Sequence, residues 1–94
     1  MTSSEPAIRT VKNALDAERL TINALDDGSG VLLDIKGEQL LTLNATGMRL
    51  VQAIEAGADS VAALRDMLCE EFEVEPERAE ADARAFVREV AEAL

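Results

Sequence analysis

Hydrophobic and polar residues alternate in the first half of the chain at the two-residue period of β-strands. In the first such run, Leu20, Ile22 and Ala24 alternate with Thr21 and Asn23. The three apolar runs are residues 19–25, 31–35 and 39–43. Short segments rich in turn-forming residues separate them, DDGSG at 26–30 and KGE at 36–38. The pattern predicts a three-stranded antiparallel meander.

The period changes from strand to helix at residue 44. Asn44 can accept a hydrogen bond from the free N–H groups of a first helical turn, which makes it a suitable N-cap. After it, Leu50, Val51 and Ile54 fall on one helical face. Gly57 suits the left-handed conformation that ends helices. We therefore predict a helix over 44–56 that follows the third strand directly.

Two further amphipathic segments predict two more helices. Ser60 is the expected N-cap of the second, and Pro76, after Glu75, suits the first turn of the third. The second is expected to bury Val61, Leu64, Met67, Leu68 and Phe72, and the third to bury Ala79, Ala83, Phe86, Val90 and Leu94. The predicted fold class is α+β, with the meander followed by three helices.

Residues 1–18 carry little pattern. The segment 8–11 fits a short strand, and a mobile arm is an equally good interpretation. We accordingly divide the chain into a flexible N-terminal arm at 1–18 and one domain at 19–94.

The composition limits the core and the compartment. The chain has 94 residues, of which 48% are hydrophobic and 2% aromatic, so one aliphatic core is expected. The N-terminal sequence lacks the charged start and apolar stretch of a signal peptide, and no apolar run approaches the length of a membrane span. These features predict a cytoplasmic protein.

The charge disfavours nucleic acid and anionic membranes as partners. Nineteen acidic and nine basic residues give a formal net charge of −10, which repels phosphate. We consider DNA binding as a rival function, but a recognition helix needs Lys and Arg, and the second predicted helix has only Arg65 among Asp66, Glu70 and Glu71. A basic or neutral partner fits better.

The residues needed for most catalysis are missing from the sequence. There is no histidine to act as a general base, and the single cysteine, Cys69, excludes an intrachain disulfide. We interpret Cys69 as a structural thiol, and the many carboxylates as residues of solvated helix faces. The expectation is a protein that is not an enzyme, with no cofactor and no metal site.

The segment Gly57-Ala58-Asp59-Ser60-Val61 resembles the Asp-Ser-Leu motif of acyl carrier proteins. In that family the serine at a helix start carries phosphopantetheine, which would assign that role to Ser60. A structural role as N-cap already accounts for this serine. The acyl-carrier reading is kept as the alternative function.

The order and spacing of several segments resemble the PqqD family. They are Leu43-Asn44-Ala45-Thr46-Gly47, then Leu50, Ile54 and Gly57, then 60–64, 71–77 and a last amphipathic helix. The resemblance covers roughly residues 20–94. Glu75 stands where the family often has a shorter Asp as the cap of the last helix, which is expected to change the strength of that cap.

This resemblance implies a winged-helix-like domain that acts as a non-catalytic peptide chaperone. Such precursor-peptide recognition elements bind the leader of a ribosomally synthesised precursor peptide and deliver it to a modifying enzyme. That enzyme is a radical SAM enzyme in pyrroloquinoline quinone (PQQ) synthesis, or a leader peptidase in lasso-peptide pathways. The sequence leaves both pathways open. The implied partners are therefore a leader peptide and one of these enzymes.

The third predicted strand is a candidate docking edge for such a leader. An edge strand has free N–H and C=O groups that can pair with an added strand, and this one has no proline or lysine to block it. We expect the last helix to wall a groove beside it, with acidic residues that favour a Lys or Arg near the apolar anchor of the leader. The candidate peptide-binding residues are Gln39, Leu40, Leu41, Thr42, Leu43, Asp82, Ala85, Phe86 and Glu89, although Leu40 and Phe86 also suit plain core filling.

Overall fold

The computed structural model describes residues 5–94, which form a three-stranded sheet and four helices. The elements are α1 Glu5–Asp16, β1 Leu20–Ala24, β2 Gly30–Asp34, β3 Gln39–Leu43, α2 Ala45–Ala56, α3 Val61–Phe72 and α4 Pro76–Ala93. The predicted α+β class and the meander followed by three helices are confirmed, with one additional helix at the start. No helix within residues 5–94 is long and apolar enough to cross a membrane.

The strands lie in the order β1-β2-β3, and both neighbouring pairs are antiparallel. Leu32 of the central strand lies opposite Ile22 on one side and Leu41 on the other. This face of the sheet packs against the helices, and Leu32 is completely buried. The opposite face carries Leu33 and Leu40, which are paired across the strands and are both exposed. Strands β1 and β3 are the two edges of the sheet.

The N-terminal segment is the main correction to the predicted organisation. Residues 5–16 form helix α1, and neither the strand at 8–11 nor the arm is found there; residues 1–4 of the expected arm lie outside the described residues. Ile8, Val11 and Leu15 are spaced for one helical face, and all three are buried in the same core as the rest of the chain. Helix α1 packs against α4 and α2. The compact unit therefore begins before residue 19.

Helix α2 begins and ends where the capping residues predict. Asn44 Oδ1 accepts a hydrogen bond from the N–H of Gly47 at 2.8 Å, and Gly57 ends the helix with a φ of 121°. Leu50, Val51 and Ile54 are almost completely buried against the sheet and the neighbouring helices. The direct passage from β3 into α2 fixes the position of the helix N-terminus beside the sheet edge.

Helices α3 and α4 pack against each other and complete the core. The Ser60 hydroxyl caps α3 by accepting from Ala63 N at 3.1 Å, whereas Glu75 makes no side-chain hydrogen bond to cap α4. Val87 is completely buried, and Phe86, which was expected to be buried, is only half-buried. The predicted core members Met67, Phe72 and Leu94 are half-buried as well. The shift from Phe86 to Val87 turns the aromatic ring towards the edge of the sheet.

Candidate functional site: a groove beside strand β3

A groove with a volume of about 230 Å³ runs between strand β3 and the second half of helix α4. Its lining residues are Leu41, Thr42, Leu43, Asn44, Gly47, Phe86, Glu89 and Val90. It continues along α4 into a shallower depression that shares Asn44, Gly47, Phe86 and Glu89 and adds Thr46, Leu50, Arg78, Asp82 and Ala85. Together they form one channel, which we call the β3 groove.

The open side of β3 presents unpaired backbone groups to this groove. Ile35 N donates to Arg19 O at 2.9 Å, so the odd-numbered residues of β1 and β2 bond to each other. The even-numbered residues of β2 must then bond to β3, where their partners are the odd-numbered residues. The N–H and C=O groups of Leu40 and Thr42 are consequently directed away from the sheet. These groups can pair with an added strand.

The floor of the groove depends on the absence of a side chain at position 47. A Cβ atom on Gly47 would lie 3.1 Å from Cε1 of Phe86 and 3.3 Å from Oδ1 of Asn44. The phenyl ring therefore lies directly on the backbone of α2. Leu43 is buried on the strand side of this contact, and Val90 on the helix side. The result is an apolar bed with one half-exposed aromatic ring.

A polar network joins the start of β3 to the end of α4. Asp34 is 1% exposed, and its carboxylate accepts from Gln39 Nε2 at 3.0 Å, Gly37 N at 3.1 Å and Arg19 Nε at 3.3 Å. These donors, Gln39 foremost, hold the pKa of Asp34 below its usual range. Gln39 Nε2 also donates to Ala93 O at the end of α4. The network thus ties the last turn of α4 to the start of β3.

The helical wall of the groove is mainly acidic. Asp82 and Glu89 lie two turns apart on α4 and are both exposed, with Ala85 and Phe86 between them. Arg78 lies at the far end of the channel, and its Nε is 3.8 Å from Asp82 Oδ2. The wall therefore favours a cationic group between Asp82 and Glu89.

The structure brings together seven of the nine residues predicted for the site. Leu41, Thr42, Leu43, Asp82, Ala85, Phe86 and Glu89 line the β3 groove. Gln39 is engaged in the polar network, and Leu40 projects its side chain onto the opposite face of the sheet and is 56% exposed. Six further lining residues were missed, namely Asn44, Thr46, Gly47, Leu50, Arg78 and Val90. The strand–helix junction at 43–47 was the available signal for Asn44, Thr46 and Gly47, whereas Val90 had been predicted only as core.

Two rival interpretations of the sequence involve residues that the structure uses elsewhere. Arg65, the single cation of α3, lies 3.2 Å from an oxygen of Asp66 and 3.9 Å from one of Glu80, so its charge is balanced. Ser60 caps α3. The chain also has a three-stranded sheet before α2, whereas an acyl carrier protein would be all-helical. Cys69 is half-buried against the core, as expected of a structural thiol.

The fold and the edge groove define a winged-helix-like α+β domain with an open strand. The family model described as "Coenzyme PQQ synthesis protein D (PqqD)" matches residues 29–93. This chain therefore belongs to the PqqD family. Among curated proteins, no sequence matches it significantly.

Two solved structures with leader peptides are similar to this chain. One, "Lasso peptide synthetase B1 complexed with the leader peptide", has a TM-score of 0.68 and 32% identity, and the match covers 79% of this chain and 85% of that one. The other, "TbiB1 in Complex with the TbiA(beta) Leader Peptide", has a TM-score of 0.71 and 27% identity, and the match covers 80% of this chain and 85% of that one.

Proposed function

We propose that this protein binds the leader segment of a precursor peptide as an added strand along β3 and presents it to a modifying enzyme. The observation that carries the proposal is the open edge of β3 directly beside an apolar groove. The solved relatives at 32% and 27% identity, both described in complex with leader peptides, support it. Family membership supports a place in the synthesis of a ribosomally made, modified peptide.

Binding would combine sequence-independent pairing with selective side-chain contacts. The leader backbone pairs with the outward groups of Leu40 and Thr42, and every second leader side chain then faces the groove. An apolar side chain of the leader lies on the bed formed by Leu43, Gly47 and Phe86. The backbone pairing supplies affinity, and the bed selects the side chain.

The acidic wall defines the second feature of the leader. A Lys or Arg next to the apolar anchor would lie near Asp82 and Glu89, in keeping with the net charge of −10. Such exposed charge pairs affect the rate of association and the choice of partner more than the affinity itself. Leaders with an acidic residue at this point should be rejected.

The role is delivery, with the chemistry left to the partner enzyme. The groove combines backbone groups, apolar side chains and carboxylates that lie on an exposed helix face, and its lining has no paired nucleophile and base. The receiving enzyme is a radical SAM enzyme or a leader peptidase. The similarity to a lasso peptide synthetase component favours the peptidase.

Titration of the ¹⁵N-labelled protein with the leader peptide encoded beside its gene tests this function. We expect saturable shifts in the amides of Leu40 to Leu43, in Gly47 and along α4 from Asp82 to Glu89. A scrambled leader of the same composition is the control and should leave these amides unchanged. Leader binding that caused no chemical-shift change in the β3 amides would refute binding along the β3 edge.

A further inference from the structure

The sheet has a second open edge, at strand β1. Because the odd-numbered residues of β1 bond to β2, the N–H and C=O groups of the even-numbered residues are directed outward. Leu20 is buried, so the accessible part of this edge is at Ile22 and Ala24. Exposed edges in monomeric proteins are commonly blocked by proline, lysine or a bulge. The strand sequence, LTINA, contains neither of these residues, and its pairing with β2 is continuous over all five positions.

A groove also runs beside this edge, with helix α2 as its wall. Its volume is about 540 Å³, and its apolar lining residues are Leu15, Leu20, Ile22, Ala24, Ile35 and Met48. Met48 can lie against the strands because position 30 is glycine; a Cβ there would lie 2.6 Å from the sulfur. The arrangement repeats the one at β3, with an open strand beside a helical wall.

The rim of this second groove is acidic. Glu18 and Glu55 both line it and are exposed, and within residues 5–94 neither carboxylate takes part in an ion pair. The nearby cation, Lys12, pairs with Asp16 at 3.2 Å and donates to the backbone oxygen of Glu55 at 3.0 Å. The two rim carboxylates are thus available to a positively charged ligand.

This charge also decides against a second copy of the chain as the occupant. Two copies joined through β1 would bring the same rim carboxylates together, and each copy has a net charge of −10. An extended segment with lysine or arginine beside an apolar residue matches both the acidic rim and the accessible apolar side chains of Ile22 and Ile35.

We propose that β1 and its groove dock an extended, lysine- or arginine-bearing segment of the enzyme that receives the leader. The inference rests on the proposed leader-binding function, because a delivery protein has to hold both partners at once. The two edges of a three-stranded sheet are about 10 Å apart, with β2 between them. Leader and enzyme can therefore occupy the protein together, with the leader held close to the enzyme.

The docking chemistry can be tested with a peptide of alternating valine and lysine, added to the ¹⁵N-labelled full chain already saturated with leader. We expect saturable shifts in the amides of 20–24 and in α2 near Met48 and Glu55. The matched peptide of alternating valine and glutamate should cause none. Shifts spread over the acidic surface without a focus at β1 would overturn the proposal.

Two edge variants form a matched pair, since Ala24 and Thr42 are both exposed and both direct their N–H outward. Ala24→Pro should weaken binding of the valine–lysine peptide about tenfold and leave leader affinity unchanged. Thr42→Pro should weaken leader binding and leave binding of the valine–lysine peptide unchanged. The double variant Glu18→Gln, Glu55→Gln avoids proline and should weaken the same peptide about fivefold.

The partner is tested by the turnover of the precursor peptide with the modifying enzyme encoded beside this chain. Ala24→Pro and the double glutamine variant should each slow turnover at least about fivefold with the leader still bound. Normal turnover with both variants would refute β1 as the site that binds the enzyme. The same conclusion would follow if the parent chain formed a dimer and Ala24→Pro abolished that dimer. If the leader caused no shifts in the β3 amides of the parent protein, that result would instead count against the proposed function alone.

Discussion

Replacing Gly47 by alanine tests whether this glycine sets the depth of the β3 groove. The added Cβ would lie 3.1 Å from Phe86 Cε1 and 3.3 Å from Asn44 Oδ1, both closer than ordinary van der Waals contact. The ring has to move by a few tenths of an ångström, and the open direction is into the groove. The cap of α2 is disturbed at the same time, because Asn44 Oδ1 accepts the Gly47 N–H.

The change in the free energy of unfolding combines one stabilising and two destabilising contributions. Alanine is favoured over glycine inside a helix by about 1 kcal/mol. Crowding in a packed site costs about 1–3 kcal/mol, and a weakened cap costs up to about 1 kcal/mol. The free energy of unfolding should therefore fall by about 0–3 kcal/mol. A leader that loses side-chain contact equal to one or two methylene groups should bind roughly four- to fifteenfold more weakly.

Gly57→Ala is the matched control for this substitution. Gly57 has a φ of 121° and no atom within 4 Å of an added Cβ, and it lies outside the lining of the groove. Alanine there is strained by about 1–2 kcal/mol, so stability falls while leader affinity stays at the parent value. Thermal unfolding and fluorescence anisotropy with a labelled leader measure the two effects. Parent affinity in Gly47→Ala would refute Gly47 as the floor of the site.

Three further substitutions separate the scaffold from the site. Asp34→Asn should lower the midpoint of thermal unfolding at pH 7; because the pKa of Asp34 is depressed in the folded state, the difference should shrink as the pH falls below about 4. Ser60→Ala should lower the free energy of unfolding by about 1 kcal/mol in urea titrations, with parent leader affinity. Glu89→Gln should weaken a lysine-bearing leader about two- to fivefold at low salt and should not affect its alanine analogue.

Local patterns were sufficient to predict most of the fold from the sequence. The alternation in β1 to β3 and the turn residues between them specify the meander, and Asn44 and Ser60 mark the helix starts. Helix α1 was missed because Ile8 and Val11 alone fit either a short strand or a helix. Only their continuation to Leu15, together with burial against α4, decides between the two.

The site was predictable to the extent that it depends on strand and helix periodicity. An edge strand beside an amphipathic helix places Leu41 and Phe86 in one groove, as the pattern suggested. Gln39 bonds to Asp34 and does not line the groove. This could not be predicted, because it also depends on a hydrogen bond to Ala93, 54 residues away. The role of Gly47 likewise depends on the approach of Phe86 from another helix.

The affinity of the leader for Thr42→Pro and for Ala24→Pro, measured side by side, tests strand addition at β3 most directly. Proline at 42 removes one outward donor and leaves a leader carbonyl unpaired, while the bonds between β2 and β3 persist. We predict that leader affinity falls at least about tenfold in Thr42→Pro and is unchanged in Ala24→Pro. Equal affinities in the parent protein and in folded Thr42→Pro would show that the leader binds elsewhere.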